Sequence, residues 1–427
     1  MMTLLRTSVL NGVAVIVKML TLLGINKILA IYVGPSGYAA LGQFQNALQM
    51  ISTFTSGAIN TGVTKYTAEY SDDVAKQQAV WRTAGTLATI ISLIMAILVA
   101  VFSGYLAELF FKDKGLSGVF WWLSGGLILL ALNSLILAIL NGKKDILRYV
   151  AANIVGSIFA LCITGFLAVK YGLYGALVAL ALYQSISFFV TIYICKRASW
   201  FKLHYLFGAI DKSVAKNLFK YVAMALTSAA CVPLSQILIR NHLATLFGWD
   251  AAGYWEAITR FSSAYLLLVT STLSVYYLPK LSELKSVIAL KAEITQGYKY
   301  VLPCVALMAG IVYVLRDFII NLLFTSDFGP MRELFAWQMI GDTLKIGSWI
   351  LAYVMLSKAM FKMFMITEVL FAISYVLMVV VFTHYFGFVG VTVAYAINYA
   401  IYWVVIALLM SRKFKAAVLS NKDGVLC

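Results

Sequence analysis

The residues of this 427-residue chain that could do chemistry are few, and they sit in apolar surroundings. Lys18 and Lys27 interrupt an apolar run over residues 8–33. Asn46, Gln49, Thr53, Ser56, Asn60 and Thr64 recur at steps of three or four, which is one face of a helix. Glu256 and Arg260 stand four apart. Gln338, Asp342, Lys345, Trp349 and Tyr353 form a second polar face, to which Glu368, Asn398 and Tyr402 add further polar positions. A charge inside an apolar span costs several kcal/mol on insertion scales, so such residues mark a cavity, a partner or an ion path. Lys18, in mid-span, is expected to face a polar cavity. Lys27, nine residues later and on the opposite face, either does the same or snorkels to the membrane surface. The six-residue stripe fits a water-accessible wall better than isolated interhelical hydrogen bonds. Asp342 and Lys345 either pair with each other or form a titratable site for a coupling ion, and Glu368 is the second such candidate. Arg260 reads as a local pair with Glu256 and as a basic contribution to the cavity.

The chemistry that is missing narrows the class. There is no Walker-type glycine-rich loop, and His204, His242 and His384 each stand alone without nucleophile–base spacing. Cys162, Cys195, Cys231, Cys304 and Cys427 have no metal-ligand spacing and read as small buried hydrophobes. The longest outward connection, expected at about 240–254, is too short for a glycosyl-transfer site. Neither catalysis nor a cofactor or metal is indicated.

The elements that hold these residues must be membrane helices. Hydrophobic residues make up 62% of the chain, charged residues only 12%, and mean hydropathy is +0.91. A soluble chain carries about a quarter charged residues. Apolar spans at 8–33, 38–63, 83–106, 118–140, 149–169, 173–195, 218–239, 255–279, 300–324, 334–357, 363–383 and 387–410 predict twelve transmembrane helices of about 20 residues or more. Of 33 basic residues, 22 fall in the two terminal segments and alternate connections, and six in the other connections. By the positive-inside rule this places both termini in the cytoplasm. The net charge of +16 is thus mainly a signal of orientation.

The chain also repeats itself. Gly172-Leu-Tyr-Gly175-Ala-Leu-Val178-Ala179 is echoed by Gly387-Phe-Val-Gly390-Val-Thr-Val393-Ala394, and Gly37-Tyr38 by Gly253-Tyr254. The offsets are 215 and 216 residues, so two six-helix halves of like orientation are expected, with a pseudo-two-fold axis along the membrane normal. The expected organisation is an N-terminal lobe (1–196), a basic linker (197–217), a C-terminal lobe (218–411) and a cytoplasmic tail (412–427). The linker carries Trp200, Phe201 and Phe207 among its lysines. It is read as a membrane-surface segment rather than a nucleic-acid site.

Two polar-walled bundles suggest alternating access, and basic residues deep in the bundles favour an anionic cargo over a cationic drug. At this point the residues resemble a family. Gly34-Pro35-Ser36-Gly37-Tyr38 with Phe44, Thr61-Gly62-Val63-Thr64-Lys65-Tyr66, Ser274-Val275-Tyr276-Tyr277-Leu278-Pro279, and the stretch from Leu315-Arg316-Asp317-Phe318 through Phe335-Ala336-Trp337-Gln338, Gly341-Asp342 and Leu344-Lys345 resemble the Wzx polysaccharide flippases. These belong to the multidrug/oligosaccharidyl-lipid/polysaccharide exporter superfamily. The similarity runs to about residue 411, and its strongest stretch, Leu315 to Lys345, looks like the branch handling enterobacterial common antigen and related O-antigen units.

The resemblance implies twelve helices in two lobes around a central cavity, a MATE-like architecture. It implies movement of an undecaprenyl-pyrophosphate-linked oligosaccharide from the cytoplasmic to the periplasmic leaflet of the inner membrane. It implies Lys18, Lys27, Asp342 and Lys345 as cavity residues and a proton or sodium ion as the coupling partner. A glycan polymerase and a chain-length regulator are the implied downstream partners. The related lipid II flippases present clustered arginines in the N-terminal lobe and two additional helices. Here lysines stand in the first helix, point charges rather than bidentate forks. The competing expectation is a MATE-like multidrug/cation antiporter on the same fold.

Overall fold

The computed structural model describes residues 2–284, 286–358 and 360–419, and the backbone within them is helical almost throughout. Lys285, Cys427 and the last eight residues of the expected tail lie outside the described residues. We name the helices α1 (Met2–Tyr32), α2 (Gly34–Ser52, continued by Ala58–Glu69), α3 (Val74–Val101), α4 (Ser117–Gly142), α5 and α6 (the two arms of Ile146–Cys195), α7 (Lys212–Phe247), α8 (Trp249–Thr272, continued by Leu278–Glu283), α9 (Val287–Val314), α10 (Phe335–Ser357), α11 (Phe361–Phe386) and α12 (Gly390–Leu419). At 1.5 Å per residue the 26 residues of α4 span about 39 Å, enough to cross a bilayer with tilt. Among the described residues seven stretches are long and apolar enough to cross a membrane, and two of them, 50 and 56 residues long, each contain two spans. The polar helices α2 and α8 are not among the seven. The chain is a multi-pass membrane protein.

Glycine sets the sharpest turns. Gly172 separates α5 from α6 with φ 56° and ψ −135°, and Gly387 separates α11 from α12 with φ 61° and ψ −147°. Both conformations are all but closed to residues with a Cβ. Three residues on, a Cβ at Gly175 would meet the Leu167 carbonyl oxygen at 2.0 Å, and one at Gly390 the Phe382 carbonyl oxygen at 2.2 Å. The sequence echo therefore encodes one backbone device used twice. Other features repeat with it. After α3 the chain breaks at Phe102 and forms a short helix, Ser103–Phe111; after α9 it breaks at Leu315 and forms Arg316–Leu323. A π turn interrupts α2 at Thr53–Gly57, and another interrupts α8 at Leu273–Tyr277.

The chain divides into two compact units, Met1–Gln236 and Ile237–Cys427. In the first, Val80, Trp81 and Ala84 of α3 pack with Leu135, Ile136 and Ile139 of α4. The basic connector joins this core: Phe201 and Leu206 are buried in it. Gly85 leaves no room for a Cβ beneath the Leu206 carbonyl, and the Gly208 carbonyl accepts from Thr86 Oγ1 at 3.0 Å. Leu203, Phe207 and Ile210 stay exposed beside Lys202 and Lys212. In the second unit, Leu273, Tyr277 and Leu281 of α8 pack with Ile350, Val354 and Met355 of α10 and with Tyr402 and Ile406 of α12.

Acidic residues of the first unit lie at helix ends or in connections and the short helix. Asp73, Asp113, Asp145 and Asp211 each accept a backbone N–H just downstream and so cap the turn that follows. At Asp73 the Lys76 backbone N–H, and then the Lys76 ammonium, hold the carboxyl below the usual carboxylate range.

One boundary is corrected. The outward connection expected at about 240–254 does not exist, because α7 continues to Phe247 and α8 begins at Trp249. Polar residues Arg240, Asn241 and His242 end the hydropathy run without ending the helix. Arg240 is only 1% exposed, and His242 Nε2 bonds the Thr383 hydroxyl at 2.9 Å.

Candidate functional site

In the first unit Lys18 lies exposed on α1 and Lys27 half-buried, nine residues further along. The α2 stripe is not one continuous wall. Gln49 is exposed, Asn46 is buried, and Thr53 turns back onto the Gln49 carbonyl at 2.8 Å. The π turn at Thr53–Gly57 inserts a residue into the helical register, so the polar face beyond it is rotated. Past the turn the face packs on α4: Asn60 Nδ2 donates to Ser134 Oγ at 2.9 Å, and the Thr64 hydroxyl to the Ala138 carbonyl at 3.2 Å. Asn46 Nδ2, Ser56 Oγ, Asn60 Oδ1 and Asn133 Oδ1 are buried with no hydrogen-bond partner. Leaving such an atom unmet costs about 1–3 kcal/mol. Their polar atoms, set around a π turn in a membrane helix, are what a polar, hydroxyl-bearing cargo or a rearranged α2 could satisfy.

In the second unit the centre is Asp342 on α10, fully buried. Four neutral donors converge on its carboxylate. Oδ2 accepts from the Ser262 and Tyr265 hydroxyls of α8, both at 2.6 Å. Oδ1 accepts from the Tyr395 hydroxyl of α12 at 2.9 Å and from Gln338 Nε2 at 3.2 Å. Gln338 also donates to Ser262 Oγ at 3.2 Å, closing the network. One acid thus ties α8, α10 and α12 together.

Lys345 does not close a salt bridge with Asp342. Its ammonium instead lies 5.0 Å from the ring centre of Trp349 and 5.8 Å from that of Tyr399, and it feels the charges of both Asp342 and Glu368. Glu368 is half-buried on α11. Tyr353 reaches the α8 π turn, where its hydroxyl and that of Ser274 are 2.8 Å apart. Asn398 is buried, and its Nδ2 reaches the Phe371 carbonyl at 3.4 Å.

Arg260 meets Glu256 as the spacing suggests, Nε to Oε1 at 2.6 Å. The other carboxylate oxygen is taken by Arg240 of α7, whose guanidinium also lies over the Trp255 ring at 5.4 Å. Sequence reading missed Arg240, Ser262, Tyr265 and Tyr395. For Ser262 the only signal was its place two residues from Arg260. Tyr395 is one of 25 tyrosines and had no distinguishing spacing. No group of three or more His, Cys, Asp and Glu residues placed to hold a metal occurs among the described residues. The arrangement can hold and orient a polar or anionic group, and it contains no nucleophile–base pair.

Comparison with known proteins fixes the family. A polysaccharide biosynthesis protein family model matches residues 4–285, two thirds of the chain. The chain belongs to the polysaccharide biosynthesis protein family. Within and beyond that match it is 30% identical, over 407 residues, to proteins named lipid III flippase from Escherichia coli (strain K12) and Shigella flexneri. The alignment covers 94% of this chain and 97% of each relative. Among solved structures, an inward-facing multidrug resistance MATE family transporter of the MOP superfamily superposes with TM-score 0.80 at 15% identity, covering 96% of this chain and 99% of that one. The lipid II flippase MurJ in an inward closed conformation superposes with TM-score 0.72 at 17% identity, covering 95% and 87%. This family member therefore shares the helical fold of these transporters, built from two compact units with repeated internal features.

Proposed function

We propose that this protein is a flippase for a polyprenyl-pyrophosphate-linked oligosaccharide, undecaprenyl in the carrier and an O-antigen or enterobacterial common antigen repeat unit in the glycan. It moves the head group from the cytoplasmic to the periplasmic leaflet of the bacterial inner membrane, with both termini in the cytoplasm. The observation that carries the reading is the end-to-end match, at 30% identity, to relatives named lipid III flippase. The intramembrane charges support it. The helices of the first unit carry Lys18 and Lys27 with acids confined to ends and connections, a pattern suited to an anionic group rather than a cationic drug. Amide and hydroxyl atoms along α2, and Gln338 and Asn398 in the second unit, suit a hydroxyl-rich glycan. Such a head group cannot cross hydrocarbon unaided, since each uncompensated polar group costs a few kcal/mol.

In this reading Lys18 and Lys27 attract the pyrophosphate, and Asn46, Gln49, Thr53, Asn60, Gln338 and Asn398 contact sugars. Arg260 and Lys345 supply further positive charge. Asp342 and Glu368 sense a proton or sodium ion. An inside-negative potential assists the outward movement of an anion by about 2.3 kcal/mol per charge per 100 mV. A polymerase and a chain-length regulator would receive the flipped unit. The test is complementation of a strain lacking its lipid-linked glycan flippase, scored as surface glycan at equal protein level. Restored glycan is expected; sensitivity to cationic dyes that this protein relieves without restoring glycan would favour an antiporter instead.

A further inference from the structure

The connector between α6 and α7, residues 196–211, is held against the first unit more firmly than a tether needs. Phe201 and Leu206 are buried in the core, and Trp200 meets the Trp81 ring edge-on with centroids 5.8 Å apart. Its backbone is then fastened to one turn of α3. The Gly208 carbonyl accepts from the Thr86 hydroxyl at 3.0 Å, and the Gly208 N–H donates to the same hydroxyl oxygen at 3.2 Å. The Asp211 N–H donates to Thr83 Oγ1 at 3.1 Å. That turn is where the apolar span of α3 begins, since no charged residue occurs between Arg82 and Glu108. The connector is therefore fixed at the level of the bilayer interface, with α6 ending at Cys195 and α7 starting at Lys212.

Its outward side is both apolar and cationic. While Phe201 and Leu206 fill the core, Leu203, Phe207 and Ile210 remain 40% to 45% exposed. Lys196, Arg197, Lys202, Lys212 and Lys216 are exposed along the same stretch, and Arg82 of α3 lays its aliphatic stem against Gly208. None of these cations is ion-paired with a carboxylate among the described residues. The one acid of the connector, Asp211, accepts the Ser213 and Val214 N–H groups at 2.8 and 3.2 Å. Large apolar side chains at interface depth suit the acyl-chain boundary, and cations interleaved with them suit phosphate. The bilayer already lies at that depth, so charge selects among its lipids.

We propose that the connector is a recognition surface for anionic phospholipid: Leu203, Phe207 and Ile210 enter the acyl boundary, and Arg82, Lys202 and Lys212 engage the phosphodiester head groups. In the orientation proposed above this is the cytoplasmic leaflet. A segment that merely lies on a membrane needs only amphipathicity; this one also has the rigidity and unpaired charge to choose between head groups. The surface is separate from the residues assigned to cargo and binds lipid whatever the protein carries.

The test titrates the full-length protein in detergent with dioleoylphosphatidylglycerol or dioleoylphosphatidylcholine. The lipid concentration giving half of the rise in unfolding temperature is read as the apparent affinity. Wild type is expected to prefer the anionic lipid by about tenfold at low salt. Most of that preference should vanish at about 1 M salt, where the screening length is about 3 Å. Arg82→Gln/Lys202→Gln/Lys212→Gln is expected to bind both lipids equally. Lys362→Gln/Lys413→Gln/Lys415→Gln removes the same charge from exposed lysines of the second unit and is expected to keep the preference. Equal loss in the two triple variants would make the effect one of net charge and overturn the proposal. Leu203→Ser/Phe207→Ser/Ile210→Ser is expected to weaken both lipids without lowering the lipid-free unfolding temperature; unchanged lipid binding overturns the insertion. Should the first charge variant fold poorly, Lys202→Gln/Lys212→Gln is judged by the same criterion. Tighter binding of geranylgeranyl pyrophosphate than of phosphatidylglycerol, lost in that charge variant, would give the surface to the cargo instead. A wild type without preference overturns the proposal and leaves the flippase reading untouched.

Discussion

Asp342 has its acceptor capacity filled by Ser262, Tyr265, Gln338 and Tyr395, so the acid is a tie between three helices as well as a candidate ion sensor. Removing one donor leaves part of a buried carboxylate unmet, which costs about 1–3 kcal/mol. Ser262→Ala and Tyr265→Phe are each expected to lower stability by that amount in thermal unfolding of the purified protein. Because both donate to Oδ2, their effects should not add. Lys345 is free of this network, and Lys345→Met is expected to change transport far more than unfolding temperature. At the residue scale the spacing of Glu256 and Arg260 foretold their pairing, but that of Asp342 and Lys345 did not foretell their partners. The spacing of three between Asp342 and Lys345 invites a pair, yet the acid turns to hydroxyls of α8 and α12 while the lysine turns to Trp349 and Tyr399. Helical spacing says which residues share a face; it does not say what faces them. Arg240 was hidden for a related reason, since a hydropathy run stops at the first charge even when that charge is neutralised from the next helix.

The helices themselves were largely legible, because a bilayer demands long apolar stretches and the chain supplies them with punctuation between. The paired glycine turns were legible as an echo at an offset of 215 and proved to be one conformation used twice. Gly172→Ala and Gly387→Ala are each expected to destabilise the protein by about 1–3 kcal/mol, since a Cβ is poorly tolerated at those angles. Similar losses at the two sites, read by unfolding in detergent, would confirm that they are equivalent; a neutral substitution at either would contradict the account. The π turns in α2 and α8 left no mark in the sequence, because an inserted residue in a helix changes register without changing composition. They are also where the polar stripe of α2 stops behaving as a single face. Outside the membrane, Asp73 caps α3 in its ionised form. Its depressed pKa means that this support is present above the ordinary carboxylate range and is lost as pH falls through the lowered value. Asp73→Ala is therefore expected to flatten the acid limb of the protein's stability profile, measured by unfolding temperature against pH.

For the molecule as a whole, two halves of matching architecture carry different chemistry. The first unit offers amides, hydroxyls and two lysines in its membrane helices; the second holds the intramembrane acids, each close to a cation or a set of donors. In the function proposed above, the first unit would face the cargo and the second would handle charge. The central claim is most directly tested by reconstitution. Proteoliposomes containing this protein and a fluorescent polyprenyl-pyrophosphate-linked oligosaccharide are exposed to a membrane-impermeant quencher, and the protected fraction is followed in time. The account predicts that the inner-leaflet pool becomes accessible only when the protein is present, and more slowly in the Lys18→Ala/Lys27→Ala variant. An inner pool that stays as protected as in protein-free liposomes, with folded protein in the membrane, would contradict it.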